Sequence, residues 1–542
     1  MNRINKNIYL KLSIGLLAIL MLSFFSCKRS NDPIEGNGDA TLNVQIDGVS
    51  FDEEDLNFEK KSSNNASSTS GIVKDTSIVY KDFVVDVVMS KDEDRADRVV
   101  SNSTIYRGGN ENMAATTVTS KLTKGVKYRL VAFNADGSFN QAKDYAYGSE
   151  ATAGPMNLDA GKKYTFVAYS INSATEELPT MTYTNSETKF AKAKLVGVSK
   201  DLMVFIVKDK QLTYGDNKLG VIMKHRFSMI TTKLSMDSKM TGSIKTLTGT
   251  TIGKVDASAT FTFDGESIAY SNNQSTYGSV KFPTLGTTGL RTVTSDPTLL
   301  INPSASDKTL TFGSITIDDE TKTNFSISNI KVMPGCKYNL NLNFRTCTKE
   351  VKLNDDALNW TYEEWPGQQG ADSAGVLIPN GRILTKKFTA PQSNYGFTFD
   401  IKLLDNAFNM KVNGVNILTD PTEGQVQFET YSNSGGKITR NIKFADGSEH
   451  GVDVGNIWTL KGTDTAPLIR IIISKTGEVT MLGSKVNGGP LFQLVLKNNL
   501  KFNPVKWNTD KNNEIIITQK VANKTFVVGR GYGQSKIACP TS

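Results

Sequence analysis

The chain has 542 residues, with 62 Lys and Arg against 54 Asp and Glu, two histidines and four cysteines. At 21% charged and 38% hydrophobic residues it is too apolar and too weakly charged for disorder, and its length suggests about three domains. Two histidines exclude a His-rich metal site, and a Ser-His-Asp triad would have to use His225 or His450. Four cysteines are too few for a scaffold built on disulfides.

Residues 1–26 read as a secretory leader. Arg3, Lys6 and Lys11 form a basic start, and the apolar run 12–25 is too short for a confident membrane span. Ser26-Cys27 follows directly, and this small-residue-Cys junction resembles a bacterial lipobox. The resemblance implies cleavage before Cys27 and acyl chains on it, which bury enough CH₂ groups to hold a protein on the outer membrane. Residues 27–40 are polar and read as a flexible tether. Without the three leader cations, 59 basic residues face 54 acidic ones, a net +5 over 516 residues. With no basic block along the chain, nucleic acid has no support as a partner.

From residue 41 the pattern is strand after strand. Short β-branched or alternating runs at 41–49, 82–89, 128–133, 164–169, 202–207, 259–263, 310–317 and 338–344 are separated by turn residues. The runs 397–403, 426–431, 468–473, 491–496, 515–518 and 525–528 continue the series. Gly 44 against Pro 15 agrees with a turn-rich β protein, and the spacing suits β-sandwiches. One short motif recurs: Gly125-Val126-Lys127-Tyr128, Gly161-Lys162-Lys163-Tyr164 and Gly335-Cys336-Lys337-Tyr338. Each reads as a turn into a strand, with Gly free to take positive φ, Lys in solvent and Tyr opening the buried face. Polar joints near 170–190 and 351–381 divide the body into 41–195, 196–350 and 351–542.

The tethered Cys27, the first strand TLNVQIDGV, the pair GVKYRLVAFN and GKKYTFVAYS, the segment MKHRFSMITTKLSM (223–236) and the closing PGCKYNLNLNF (334–344) together resemble the fimbrillin family of type V pilus lipoproteins. The resemblance covers residues 41–350 and implies an all-β chain with two fimbrillin-like β-sandwiches. It implies export through the periplasm to the cell surface, and removal of the first strand by a protease cutting after Lys or Arg. Other pilus subunits would then be partners by β-strand addition. The removable strand would be 41–49, with Lys60, Lys61 and Lys74 as candidate cut sites.

The remaining residues, 351–542, are expected to form an additional β-sandwich, lectin-like or jelly-roll-like, which suggests a tip or accessory subunit with a head for a surface glycan or protein. Within 395–418, Asp405, Asn406, Asn409 and Asn413 offer polar groups for sugar hydroxyls, and Trp458 and Trp507 offer aromatic faces. The strand-turn pattern there resembles PA14-like lectin sandwiches, which often place paired acids on Ca²⁺. In the adjacent pair Asp405-Asn406 only Asp405 is acidic, so calcium is doubtful and no other cofactor is expected. The rival reading is a surface lipoprotein that captures glycans for nutrition without a pilus.

No nucleophile elbow, zinc-binding helix or phosphate loop is present, and no enzyme is expected. His225 reads as structural and His450 as an exposed loop residue. Cys336 and Cys347 would lie about 36 Å apart on a straight strand, at ~3.3 Å per residue, so Cys539 could pair with either, or all three could be reduced.

Overall fold

The computed structural model describes residues 38–51, 72–80, 83–92, 99–101, 117–271, 276–286, 289–302, 307–351, 378–379, 381–419, 424–433, 436–521 and 526–540. The leader, Cys27, Lys60, Lys61 and most of the joint at 351–381 lie outside them. The described residues are almost entirely strand and turn. Their α-helix, Glu150–Ala153, is one turn long, and no helix among them is long and apolar enough to cross a membrane.

The first sandwich has a seven-stranded sheet in the order Phe139–Ala146, Lys127–Asn134, Lys163–Ser170, Met203–Gln211, Gly215–His225, Asp39–Ser50, Met156–Asp159. The pleat divides its side chains between two cores. Tyr128, Leu130, Tyr164 and Phe166 pack with Leu42, Val44 and Ile46 on one face. On the other, Val131, Phe133, Val167 and Tyr169 pack against Leu195, Phe261 and Phe263 of a four-stranded sheet. The recurrent turn behaves as its residues dictate. Gly125, Gly161 and Gly335 all have positive φ, and Tyr128, Tyr164 and Tyr338 are fully buried.

The second sandwich joins the sheet Ile72–Val79, Val84–Lys91, Lys337–Arg345, Ser228–Met236, Thr292–Thr294 to one built around Lys308–Ile317 and Glu320–Ile330. Val85, Val87, Leu340, Leu342, Phe312 and Phe325 lie between them. Arg345 and Asp86 form a bidentate pair across neighbouring strands, and the Arg345 hydrogen bonds hold the Asp86 carboxyl down to about 2.

Strand pairing corrects the division at residue 195, which falls inside the strand Ala193–Val198. The first sandwich takes Met203–Gln211, Gly215–His225 and Ala259–Thr262 from beyond that point, while the second takes Ile72–Val79 and Val84–Lys91 from before it. Polar joints report where the chain turns. They carry no information about which distant strand completes a ladder.

The third sandwich is contiguous. Its seven-stranded sheet runs Thr348–Val351, Val527–Lys536, Phe397–Leu404, Ile469–Ile473, Val479–Ser484, Leu491–Leu496, Ile442–Phe444. The facing sheet centres on Asn513–Lys520, between Ile383–Ala390 and Ala407–Val412. Phe397, Phe399, Ile401, Ile469, Ile471 and Ile473 fill the core with Phe408, Met410, Ile515 and Ile517. Cys347 is disulfide-bonded to Cys539, tying the last strand to the entry of this sandwich, and Cys336 is buried outside that bond.

The outer face of that sheet is also covered, by the second sandwich. Arg470 makes a buried bidentate pair with Asp400, to which Tyr532 also donates, and reaches the Ser238 hydroxyl at 3.2 Å. Around it, Lys245 bridges Asp319 and Glu478, and Lys536 pairs with Glu320. Asp318 is buried there against Tyr395, and burial raises its carboxyl to about 6.

Candidate functional site

The strand Asp39–Ser50 occupies a slot rather than an outer rim. It lies parallel to Gly215–His225, from Ala40 opposite Gly215 to Ser50 opposite Lys224, with a bulge between Ile46 and Gly48. On its other side Asp39–Leu42 pairs antiparallel with Met156–Asp159, and Val49 exchanges two 2.9 Å backbone hydrogen bonds with Ser120. Ala40, Leu42, Val44 and Ile46 alternate into the core. The residues that hold this strand are therefore a main-chain ladder and a row of apolar side chains at every second position.

The following segment, 52–71, contains Lys60 and Lys61 and lies outside the described residues. Lys74 sits within Ile72–Val79, paired with Val84–Lys91, and its ammonium donates to the carbonyls of Ser328 and Asn329. A protease needs an accessible extended segment, so a cut at Lys74 would require this hairpin to open first.

The polar set of the third sandwich is directed inward. Asn409 is buried, and its amide donates to the carbonyls of Leu418 and Gly424. Asn406 is buried and caps the Glu429 N–H. Asp405 is buried, with its N–H on the Phe526 carbonyl. Asn413 takes positive φ in the turn and binds Lys506 and Asn513. Trp507 stacks on Phe397 in the core, and its indole N–H donates to the Ser393 carbonyl. Among the described residues no cluster of His, Cys, Asp and Glu suits a metal ion.

Trp458 differs from the others, at 46% exposed. Beside it stand Asn456, two residues earlier in the chain, and Glu429 and Arg440, which no pattern in the sequence connects to it. Glu429 lies 28 residues before Ile457, and the gap is bridged by the Ile457 N–H donating to the Glu429 carboxylate.

The histidines divide. His225 is buried, stacks on Phe51 at 3.9 Å and bonds Asp201 through Nδ1 at 2.8 Å. That partner lies 24 residues away in sequence. His450, expected on the surface, is instead 3% exposed, wedged against Phe428 and Phe444, and burial pushes its imidazole down to about 4. The loop's polar sequence hid the inward turn of this ring.

Residues 86–365 match the family described as fimbrillin-like. Among solved structures, the fimbrial anchor protein Mfa2 of Porphyromonas gingivalis is 14% identical, with a TM-score of 0.25 over 44% of this chain and 88% of that one. A fimbrial assembly protein of Parabacteroides distasonis is 12% identical, with a TM-score of 0.25 over 40% and 83%. A candidate cell adhesion protein of Bacteroides fragilis is 10% identical, with a TM-score of 0.28 over 44% and 87%. Likenesses of this order carry no argument about activity. No curated protein matches the chain. The family match spans half of the sequence, so the chain belongs to the fimbrillin-like family.

Proposed function

We propose that this chain is a fimbrial subunit, at the tip or in an accessory position, that joins its neighbours by β-strand addition and carries the third sandwich as a binding head. The observation that supports assembly is the slot of the first strand. Its partner strand pairs with it along nearly its full length, and its apolar side chains enter the core at alternate positions. A strand from another subunit with the same alternation would meet the same ladder and the same pockets. Cleavage within 52–71, after Lys60 or Lys61, would release the resident strand.

Export as a lipoprotein through Cys27 belongs to the same proposal. A radiolabelled fatty acid should be incorporated by the native chain and not by Cys27→Ala. The assembly reading is tested by mixing the purified protein, intact and cut in 52–71, with pilin subunits of the same cell. Association of the cut form is expected, and association of neither form would refute it.

A further inference from the structure

We propose that Trp458 and the polar groups gathered beneath it form a carbohydrate subsite, in which the C–H face of a neutral pyranose stacks on the indole. The proposal deepens the reading of the third sandwich as a binding head, and rests on it.

Trp458 belongs to a single 3₁₀ turn, Ile457–Thr459. Ile457 is fully buried and Leu460 nearly so, so the turn is nailed to the core on both sides of the exposed indole. Such anchoring displays the ring without the entropy cost of ordering a loose loop on binding.

The indole is also oriented. It hydrogen-bonds the Glu429 carboxylate, which accepts the Ile457 N–H as well and lies beside the Arg440 guanidinium. The indole has one donor, its N–H, so this bond fixes the ring edge-on and leaves a face outward.

Arg440 reaches the Gly451 carbonyl at 3.4 Å. A Cβ built on Gly451, whose φ is +70°, would stand 3.0 Å from Asn456 Oδ1, 3.2 Å from an Arg440 terminal nitrogen and 3.4 Å from the Glu429 carboxyl carbon. One amide, one guanidinium and one carboxylate therefore converge beside Gly451, where a larger residue would crowd them. That set offers both donors and acceptors, as vicinal hydroxyls require.

The surroundings favour sugar over protein. A protein hot spot places its aromatic residue in a wide apolar patch. Here Asp453, Gly455 and Thr459, close to Trp458 in the chain, are exposed, and Val452 is the exposed apolar residue of the same loop. The opposed charges of Glu429 and Arg440 offset each other, which suits a neutral sugar ring.

The test is an array of neutral hexose and N-acetylhexosamine oligosaccharides probed with the full chain, followed by titration of the best array member with indole fluorescence as readout. The native protein should bind, Trp458→Ala should weaken binding at least about tenfold, and Trp458→Phe should retain part of it, with unchanged circular dichroism for both. Absence of binding by the native protein, or equal binding by Trp458→Ala, overturns the subsite. Failure to associate with pilin subunits while binding depends on Trp458 refutes the strand-addition reading and leaves the subsite standing.

Discussion

The two ends of the described chain are secured in opposite ways. The first strand, Asp39–Ser50, is held by a parallel ladder and by Leu42, Val44 and Ile46 in the core, with a partner about 175 residues away. The last strand, Val527–Lys536, leads to Cys539, which is bonded covalently to Cys347. Non-covalent, non-local pairing can be exchanged for an equivalent strand, whereas a disulfide across 192 residues cannot. The contrast teaches that the first sandwich is closed by contacts that can be remade, and the third by a covalent bond that cannot.

The largest effect should follow removal of the first strand. Excising residues 38–51 uncovers the cavities of Leu42, Val44, Ile46 and Val49, with a loss on the order of 8 kcal/mol at roughly 2 kcal/mol per buried aliphatic side chain. Calorimetry should then lose the N-terminal transition and keep that of the third sandwich. Loss of both would break the comparison.

Next come the devices that lock the third sandwich. Arg470→Ala strands the Asp400 carboxylate in the interface and should cost about 3–5 kcal/mol, read from urea midpoints. Cys347→Ser should cost about 2–4 kcal/mol, and reducing agent should lower the native melting temperature while leaving the variant unchanged.

A smaller and pH-dependent effect comes from Asp318. Its folded carboxyl titrates near 6 against an ordinary 3.8, so between those values the folded state holds more protons than the unfolded one. The stability it contributes is present below about 4 and is lost as pH rises through 6. Asp318→Asn should match the native protein near pH 4 and exceed it above pH 6 by roughly 1–3 kcal/mol. Asp86 acts in the opposite direction and in a different window, because its depressed carboxyl loses its contribution as pH falls from about 4 towards 2. Melting curves for both proteins from pH 2 to pH 7 separate the two. Smallest of all, Trp458→Ala should cost about 1 kcal/mol, through loss of the hydrogen bond to the Glu429 carboxylate, since much of the indole is exposed.

Much of the fold was legible because the pleat writes itself into sequence. The alternation of Tyr338, Leu340, Leu342 and Phe344 against Asn339, Asn341 and Asn343 gave the strand Lys337–Arg345 and its buried face directly. The Gly-x-Lys-Tyr turns did the same for Tyr128 and Tyr164. Strands such as Gly215–His225 and Val527–Lys536 were hidden or cut short by their glycines, which lack a side chain to pack. Pairing across the 195 boundary was not legible, because register between distant strands is settled by packing.

The candidate sites divide along the same line. Trp458 could be named from sequence as an aromatic of unknown exposure. Glu429 and Arg440 could not, since chain folding alone brings them beside it. Asn409 and Asn413 had suitable chemistry for a ligand, and the backbone engages it instead.

The central claim is that the first strand is exchangeable, and a labelled peptide carrying residues 38–51 tests it most directly. Incubated with protein cut within 52–71, the peptide should enter saturably and block association with pilin subunits, while intact protein should exclude it. Exclusion by the cut protein, or equal uptake by both forms, would contradict the account.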